Sequence, residues 1–183
     1  MRRLTSLQRA SGFTMIEILV TLVITAVGML GLAGFVVRAT TLSTDSIQRA
    51  RAAVLVNDMA ARISNGKAIA ATFVAADGTN LQLRGAGVVS CAGLANGPLQ
   101  LCQWNNLLAG ANDGGSGAAF LGYRGCVTQP NAADPLFVVT IAWGSMTPGA
   151  PPADQCGAGV FGDEARGLRR VLRLQVRVAT LAA

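Results

Sequence analysis

The sequence predicts an α+β protein in which one long N-terminal helix packs on a small antiparallel β-sheet. Three observations carry this prediction. An apolar run covers residues 13–37 and contains one formal charge, at Glu17. A helical pattern with one apolar face then continues to Asn65. Near the C-terminus, residues 169–179 alternate between apolar and polar side chains, which is typical of a half-buried antiparallel strand.

The composition fits one membrane span joined to one modest globular domain. The chain has 183 residues, 51% of them hydrophobic, and a mean hydropathy of +0.46, which is high for a soluble domain. Its net charge of +6 comes from 15 basic and 9 acidic residues. A calculated pI near 10.1 raises the possibility of nucleic-acid binding. A basic leader together with a few solvated arginines accounts for the charge more simply.

Residues 1–12 form a short basic leader without an acidic residue. Arg2, Arg3 and Arg9 flank the apolar run on its N-terminal side, so they are expected to stay in the cytoplasm while the C-terminal part faces outward. An ordinary secretory signal peptide is the alternative. Two features argue against it, because the apolar run is too long for a signal-peptide core and no clean A-x-A cleavage site follows it at once.

Residues 13–37 are predicted to form a transmembrane helix, since about 18 or more apolar residues suffice to cross a bilayer. The run contains no proline, and Gly28, Gly31 and Gly34 form either a closely packing stripe or the ordinary glycine content of a membrane helix. Glu17 is the one formally charged residue in this apolar run, so its presence needs an explanation. A carboxylate in hydrocarbon costs a few kcal/mol, so such residues usually have a partner or a task.

Residues 38–65 are predicted to continue the same helix as an amphipathic segment. The stop is placed at Ser64-Asn65-Gly66, with Gly66 as a left-handed cap. A helix ending there would be about 80 Å long at ~1.5 Å per residue. The apolar side chains assigned to its domain-facing side are Ile47, Val54, Leu55, Met59 and Ile63.

Residues 66–183 are predicted to form a β-rich globular domain outside the membrane. Strand candidates cover residues 81–84, 88–91, 120–129, 136–143 and 169–179. Residues 130–135 read as a hairpin connection, residues 93–117 as mostly irregular and residues 146–159 as a loop. The arginines of the last strand are interpreted as a solvated face rather than a binding site.

The chain lacks histidine, which excludes Ser-His-Asp and Cys-His catalysis and histidine metal sites. With no clustered acid pair and no nucleophile motif either, we expect no enzyme activity, no catalytic residue, no metal and no cofactor.

All four cysteines follow the apolar run, and none forms a C-x-x-C pair, so disulfides in an oxidising compartment are expected. Three pairings are possible. The favoured one joins Cys91 to Cys102, closing the irregular loop, and Cys126 to Cys156, tying the hairpin to the loop before the last strand. Each bond would contribute roughly 3 kcal/mol.

The stretch Gly12-Phe13-Thr14-Met15-Ile16-Glu17 resembles the class III signal of type IV pilins and pseudopilins: a basic leader ending in glycine, then phenylalanine, then glutamate four residues on, inside an apolar helix. The resemblance implies the type IV pilin fold. It also implies that a membrane prepilin peptidase cuts after Gly12 and methylates the new amine of Phe13. In the family, the residue matching Glu17 recruits and registers the subunit during polymerisation.

Within that family the chain is most similar to the minor pilins called PilV. The similarity rests on the apolar segment, on Trp104-Asn105-Asn106-Leu107-Leu108, on residues 137–143 and on residues 169–174. Asn105-Asn106 departs from the more usual charged pair, and the Leu-Pro turn after Leu108 is missing.

The resemblance implies an inner-membrane subunit with a periplasmic domain that joins other minor and major pilins on the cell surface. Such a subunit helps to initiate pilus assembly or lies near the tip, and it supports adhesion or twitching motility. A type II secretion pseudopilin is the nearest rival. A signal-anchored periplasmic enzyme and a DNA-binding or DNA-uptake subunit belong to other classes. Nucleic acid is not expected as a partner, because that idea depends on Arg169, Arg170, Arg173 and Arg177 alone.

Overall fold

The computed structural model describes residues 12–74, 84–110 and 122–179. Two α-helices, α1 (Met15–Asn65) and α2 (Asn96–Leu108), precede three strands, β1 (Arg124–Thr128), β2 (Leu136–Gly144) and β3 (Arg169–Arg177). Short 3-10 helices cover Lys67–Phe73 and Glu164–Arg166. The predicted α+β class, with a long N-terminal helix and a small antiparallel sheet, is confirmed. Contacts divide the chain into two compact units, Met1–Leu42 and Ser43–Ala183.

The three strands form one antiparallel sheet in the order β1-β2-β3. β2 is the central strand, and Val139 pairs with Val127 on one side and with Leu174 on the other. The predicted hairpin between β1 and β2 is confirmed, and its turn is closed by a 3.0 Å hydrogen bond from Asp134 N–H to the carbonyl oxygen of Asn131. β1 begins at Arg124, later than predicted; the first two residues of that prediction, 120 and 121, lie outside the described residues.

The C-terminal part of α1 packs against the sheet within the Ser43–Ala183 unit. The prediction that Ile47 and Val54 belong to this buried face is wrong, because they are 52% and 69% exposed. The predictions for Met59 and Ile63 are confirmed, since both are 0% exposed, and Leu55 packs against the core. The prediction fails nearer the start of this segment because a polar residue, Gln48, lies on the buried face. The buried residues of α1 are Gln48, Ala52, Val56, Met59 and Ile63.

Aromatic side chains fasten α1 to the rest of this unit through its backbone carbonyls. The indole Nε1 of Trp104 donates a 3.0 Å hydrogen bond to the carbonyl oxygen of Leu55. The hydroxyl of Tyr123 donates one of 3.0 Å to the carbonyl oxygen of Gln48. Each ring buries its apolar body in the core while its polar atom finds a partner. These bonds therefore set the position of α1 relative to α2 and the sheet.

Helix α2 lies inside the segment predicted to be irregular, so that prediction is wrong over Asn96–Leu108. The sequence does not predict this helix, because glycines lie on both sides of it and Ala95 provides no side-chain cap. Two signals could have revealed it. Pro98 stands in the first turn, where proline is tolerated. The buried residues Leu101, Trp104, Asn105 and Leu108 recur at the i, i+3, i+4, i+7 spacing of an amphipathic helix.

The sheet has a second, smaller core on the face away from α1. There Cys126, Ala142 and Cys156 are buried together, with Phe161 and Val171 packed against them. The interpretation of the β3 arginines as solvated is wrong for Arg169, which is 4% exposed. Its guanidinium lies under the loop between β2 and β3, because that loop folds back over the sheet instead of leaving the face open to water.

Three local predictions also need correction or fall outside the structure. Residues 88–91 do not form a strand. Gly66 has φ −96°, so it is not a left-handed cap, although α1 does end at Asn65 as predicted. Of the predicted strand at residues 81–84, the first three lie outside the described residues, and Arg84 makes an isolated antiparallel bridge to Gly125.

Candidate functional site

The N-terminal unit presents an apolar helical surface on which none of the described residues packs. Large apolar side chains from Phe13 to Val37 are 50–84% exposed. By length and composition, α1 is a helix able to cross a membrane, although a signal sequence near the N-terminus passes the same test. Exposed apolar patches on soluble monomers rarely exceed a few hundred Å². The surface of residues 13–37 therefore fits a membrane anchor.

The hydroxyl groups within this run are compatible with such surroundings. Thr21 Oγ1 donates a 2.9 Å hydrogen bond to the carbonyl oxygen of Ile18. Thr25 Oγ1 donates to the carbonyl oxygens of Thr21 and Leu22, at 2.9 and 3.0 Å. Since the helix satisfies these donors internally, they can enter hydrocarbon without an unpaired polar group. Apart from its ends, the run has one strongly polar side chain, Glu17.

Glu17 lies in the first turn of α1, next to the N-cap residue Thr14. Its N–H donates to the Thr14 carbonyl oxygen at 3.1 Å and contacts Thr14 Oγ1 at 3.4 Å. The pattern Thr-x-x-Glu is that of a capping box, a signal readable in the sequence. A carboxylate here lies at the end of the helix where the macrodipole favours negative charge. Among the described residues, its oxygens have no cationic partner.

The bond between Gly12 and Phe13 lies just outside the helix. Residues 12–14 are not helical, Phe13 is exposed, and a Cβ added at Gly12 would meet no atom within 4 Å. Nothing in the described chain covers this bond. Gly28, Gly31 and Gly34 are equally open, with nothing within 4 Å of an added Cβ. They offer three shallow positions on one helix where another backbone can approach closely.

The globular unit carries its cysteines as two disulfides. Cys91 Sγ and Cys102 Sγ are 1.98 Å apart, and Cys126 Sγ and Cys156 Sγ are 1.99 Å apart. The first bond joins residues 85–91 to α2. The second joins β1 to the loop between β2 and β3 in the smaller core. Both bonds thus hold irregular backbone against regular elements.

The β3 arginines do not form a free cationic patch. Arg173 Nε lies 3.2 Å from Asp154 Oδ2, and Arg177 Nη2 lies 3.3 Å from Asp134 Oδ2. Arg169 Nε lies 2.9 Å from Glu164 Oε1. Arg170 donates hydrogen bonds to backbone carbonyls, among them that of Thr147 at 2.6 Å. A nucleic-acid phosphate would have to displace these partners, so the structure offers no ready phosphate-binding surface on this strand.

Glu164 is the acidic residue whose titration this arrangement changes most clearly. Its Oε1 accepts a 3.1 Å hydrogen bond from Gly159 N–H. That bond, and after it the hydrogen bond from Arg169, lowers the pKa of the Glu164 carboxyl from its ordinary value. The guanidinium of Arg169 also donates to the carbonyl oxygens of Cys156 and Asp154. The Glu164–Arg169 pair therefore stabilises the loop between β2 and β3, which covers the face of the sheet away from α1.

A comparison with known families bears on the N-terminal segment. The family model described as "Prokaryotic N-terminal methylation motif" matches residues 7–33. The chain carries a prokaryotic N-terminal methylation motif. This motif indicates a type IV pilin-like or pseudopilin-like protein, a class of structural subunits processed by a prepilin peptidase. The match includes Gly12, Phe13 and Glu17 and leaves the globular unit unassigned. No curated protein and no solved structure matches the chain significantly.

Proposed function

We propose that this chain is a minor pilin of a type IV pilus, most similar to the PilV type. The observation that carries the proposal is the methylation motif on a helix whose large apolar side chains are exposed from Phe13 to Val37. Before assembly, inner-membrane lipid covers this surface. After assembly, the helices of neighbouring pilins cover it. The globular unit stays on the periplasmic side and then on the cell surface.

In this proposal the prepilin peptidase cuts after Gly12 and methylates the new amine of Phe13. The accessible, non-helical backbone at residues 12–14 suits a protease, because the bond can be extended without unwinding α1. Cleavage removes the basic leader and leaves a positive amine about one helical turn from Glu17. The two disulfides suit a small domain that folds in an oxidising compartment.

The proposed task of Glu17 is to pair with the Phe13 amine of a neighbouring subunit. Its oxygens have no cationic partner among the described residues, so they are available for such a contact. In a low-dielectric filament core, an unpaired carboxylate is costly and a hydrogen-bonded charge pair offsets much of that cost. The pair would therefore favour one axial register between adjacent helices.

A pseudopilin of a type II secretion system is the second candidate, since the methylation motif occurs in both classes. The two candidates share the N-terminal chemistry and differ in the machine that they join. Deleting the gene separates them, because a minor pilin is needed for surface pili and a pseudopilin for export of secreted enzymes. In either case the role is structural, with no catalytic step assigned to the chain.

The decisive test is N-terminal sequencing of the mature protein purified from its own membrane. The proposal expects N-methyl-phenylalanine from Phe13 as the first residue. Gly12→Val, which adds a branched side chain next to the bond, should accumulate unprocessed protein. Gly28→Val, outside the cleavage site, is the matched control and should be processed normally. A mature protein that still begins at Met1 would refute the proposal.

A further inference from the structure

A cleft of about 330 Å³ opens within the Ser43–Ala183 unit, between α1 and the start of the edge strand β3. Helix α1 lines it with Asp45 and Arg49, and the sheet lines it with Trp143, Val171 and Leu172. Trp143 belongs to the core under α1, and Leu172 packs against that core. The cleft therefore has a charged wall on the helix and a largely apolar wall on the sheet.

Arg49 brings an unpaired positive charge to this cleft. Asp45 precedes it by four residues on α1, a spacing at which an acid and an arginine commonly form an ion pair. The Asp45 carboxylate instead accepts hydrogen bonds from Thr147 Oγ1 at 2.6 Å and from Ser145 Oγ at 3.1 Å. The Arg49 side chain has no ion pair and no hydrogen bond in the part of the chain that the structure describes. Its guanidinium is therefore available to an anion, and a phosphate or a carboxylate matches its geometry best.

Trp143 brings a second unused donor. This residue is 5% exposed and lines the cleft. Its indole N–H has no acceptor among the described residues, and the nitrogen stays accessible to solvent. The indole of Trp104, by contrast, donates to the carbonyl oxygen of Leu55. Because a largely buried tryptophan usually finds a partner for this group, the free N–H of Trp143 indicates a site for an acceptor from outside the chain.

The charges that line the cleft favour an anion. Arg49 and Arg170 are opposed by one acid, Asp45, so two positive charges face one negative charge. Arg170 contributes its charge but few free donors, since its guanidinium bonds to the backbone carbonyls of Gly167 and Thr147. Direct contacts to an anion therefore fall to Arg49 and Trp143.

Two features favour a lipid head group over a free anion. The first is the apolar wall of Trp143, Val171 and Leu172, which can cover the carbon stem of a lipid but gains nothing from an inorganic ion. The second is the position of the cleft in the chain. Asp45 follows Val37, the last residue of the apolar run, by eight residues, and eight residues span at most about 29 Å. A membrane anchor therefore keeps a lipid surface within reach of the cleft.

We propose that this cleft binds the phosphate of an anionic phospholipid while the subunit is held in the membrane. The phosphate contacts the Arg49 guanidinium and the Trp143 indole N–H, and the glycerol and first methylene groups lie against Val171 and Leu172. The inference rests on the membrane anchor of the proposed function and gives that anchor a specific lipid partner. It requires neither cleavage at Gly12 nor assembly into a filament.

The test uses the full chain in non-ionic detergent micelles, with nuclear magnetic resonance of the indole N–H groups as the readout. The chain has two tryptophans, so it gives two indole signals, and Trp143→Phe assigns them. Dihexanoyl phosphatidylglycerol should shift the Trp143 signal to saturation. The Trp104 signal is an internal control and should stay in place, because that residue is 0% exposed and its N–H is bonded to Leu55.

Arg49→Gln should weaken lipid binding about tenfold, the effect of losing roughly one charged hydrogen bond. Arg51→Gln is the matched control. It removes the same charge from the same exposed part of α1 but does not line the cleft, so it should change binding by less than about threefold. Equal losses in the two variants would overturn the proposal, because they would show attraction by net charge alone.

Two ligand controls do not depend on the folding of any variant. Dihexanoylglycerol lacks the phosphate and inorganic phosphate lacks the acyl stem, so each should bind at least about tenfold more weakly than the phospholipid. Equal binding of the neutral lipid, equal binding of inorganic phosphate, or no shift of the Trp143 signal by the phospholipid would each overturn the proposal. Lipid binding by a protein whose mature form begins at Met1 would refute the pilin assignment and leave this site standing. A mature protein that begins with N-methyl-phenylalanine but does not bind the lipid would refute this site alone.

Discussion

The carboxylate of Asp45 on α1 accepts a 2.6 Å hydrogen bond from Thr147 Oγ1, across 102 positions of sequence. Ser145 Oγ donates to the same carboxylate at 3.1 Å. Within the Ser43–Ala183 unit, these bonds fix the chain that leaves β2 onto the helix. No short-range sequence pattern predicts these hydrogen bonds, because a charged residue on an amphipathic helix normally faces water. They make Asp45 a structural residue of this unit.

Replacing Asp45 with alanine should lower the free energy of unfolding of the globular unit by about 2–3 kcal/mol. The hydroxyls of Ser145 and Thr147 lose a charged acceptor in a part-buried position. Chemical unfolding of the full chain in detergent, followed by tryptophan fluorescence, measures the change. Asp58→Ala is the control, since its i,i+4 pair with Arg62 on the same helix is worth about 0.3–0.5 kcal/mol. Equal losses in the two variants would contradict the assignment.

Glu17→Ala should abolish or strongly reduce incorporation of the subunit into sheared surface filaments, while processing and membrane level stay unchanged. The expected reason is loss of the carboxylate that pairs with a neighbouring Phe13 amine. Immunoblots of sheared and membrane fractions measure both quantities. Thr14→Ala is the matched control, because it removes the 3.4 Å capping contact and leaves the carboxylate. If Thr14→Ala has the same effect as Glu17→Ala, the role of Glu17 is helix capping and not assembly.

Non-reducing peptide mapping should recover Cys91 linked to Cys102 and Cys126 linked to Cys156. By the chain-entropy model, removing the bonds as serine pairs should cost about 3 and 4 kcal/mol respectively, since the second closes the longer loop. The loss at Cys126 and Cys156 should be the larger for a second reason, because both lie in the buried outer core. A peptide linking Cys91 to Cys126 would disprove this pairing.

Acid should loosen the loop that covers the outer face of the sheet. Hydrogen bonds from Gly159 and Arg169 lower the pKa of Glu164 in the folded state. A carboxyl with a lowered folded pKa stabilises the fold above its unfolded pKa, and that contribution is lost as the pH falls through the folded value. The protection factors of the amide hydrogens of residues 156–164, which correct for the pH dependence of the intrinsic exchange rate, should therefore fall as the pH drops below the ordinary pKa of 4.5. Glu164→Gln should remove this pH dependence, whereas Asp163→Asn, next to it, should retain it.

The methylation segment could be predicted from the sequence because its chemistry is local. Uninterrupted apolar character, one carboxylate and a preceding glycine all lie within a few turns of a single helix, and helix periodicity needs no tertiary contact to be recognised. The same holds for the β1–β2 hairpin and for β3, where the alternation and turn residues lie side by side in the chain. The capping pattern Thr14-x-x-Glu17 was equally readable, although its meaning as a cap was missed.

The globular unit was less predictable because its decisive contacts are long-range. Gln48 is buried while Ile47 and Val54 are exposed, a choice made by what packs on α1 and not by the polarity of its residues. α2 is capped by no side chain, and it is held by Trp104 in the core and by a disulfide. Asn105 and Asn106 would pass as surface residues, yet their side chains accept hydrogen bonds from the backbone of Gly85 and Val89.

The sequence by itself therefore determined the long helix, its apolar surface and the candidate processing site, because each depends on neighbours along one helix. Only the tertiary structure decided which helix face is buried, that Arg169 lies under a loop, and that Asn105 and Asn106 bind the backbone of Gly85 and Val89. The physical reason is the same in each case. Whether a residue is buried or hydrogen-bonded depends on which distant segments of the chain come into contact. Those contacts are determined by the packing and conformational entropy of the whole unit rather than by local propensity.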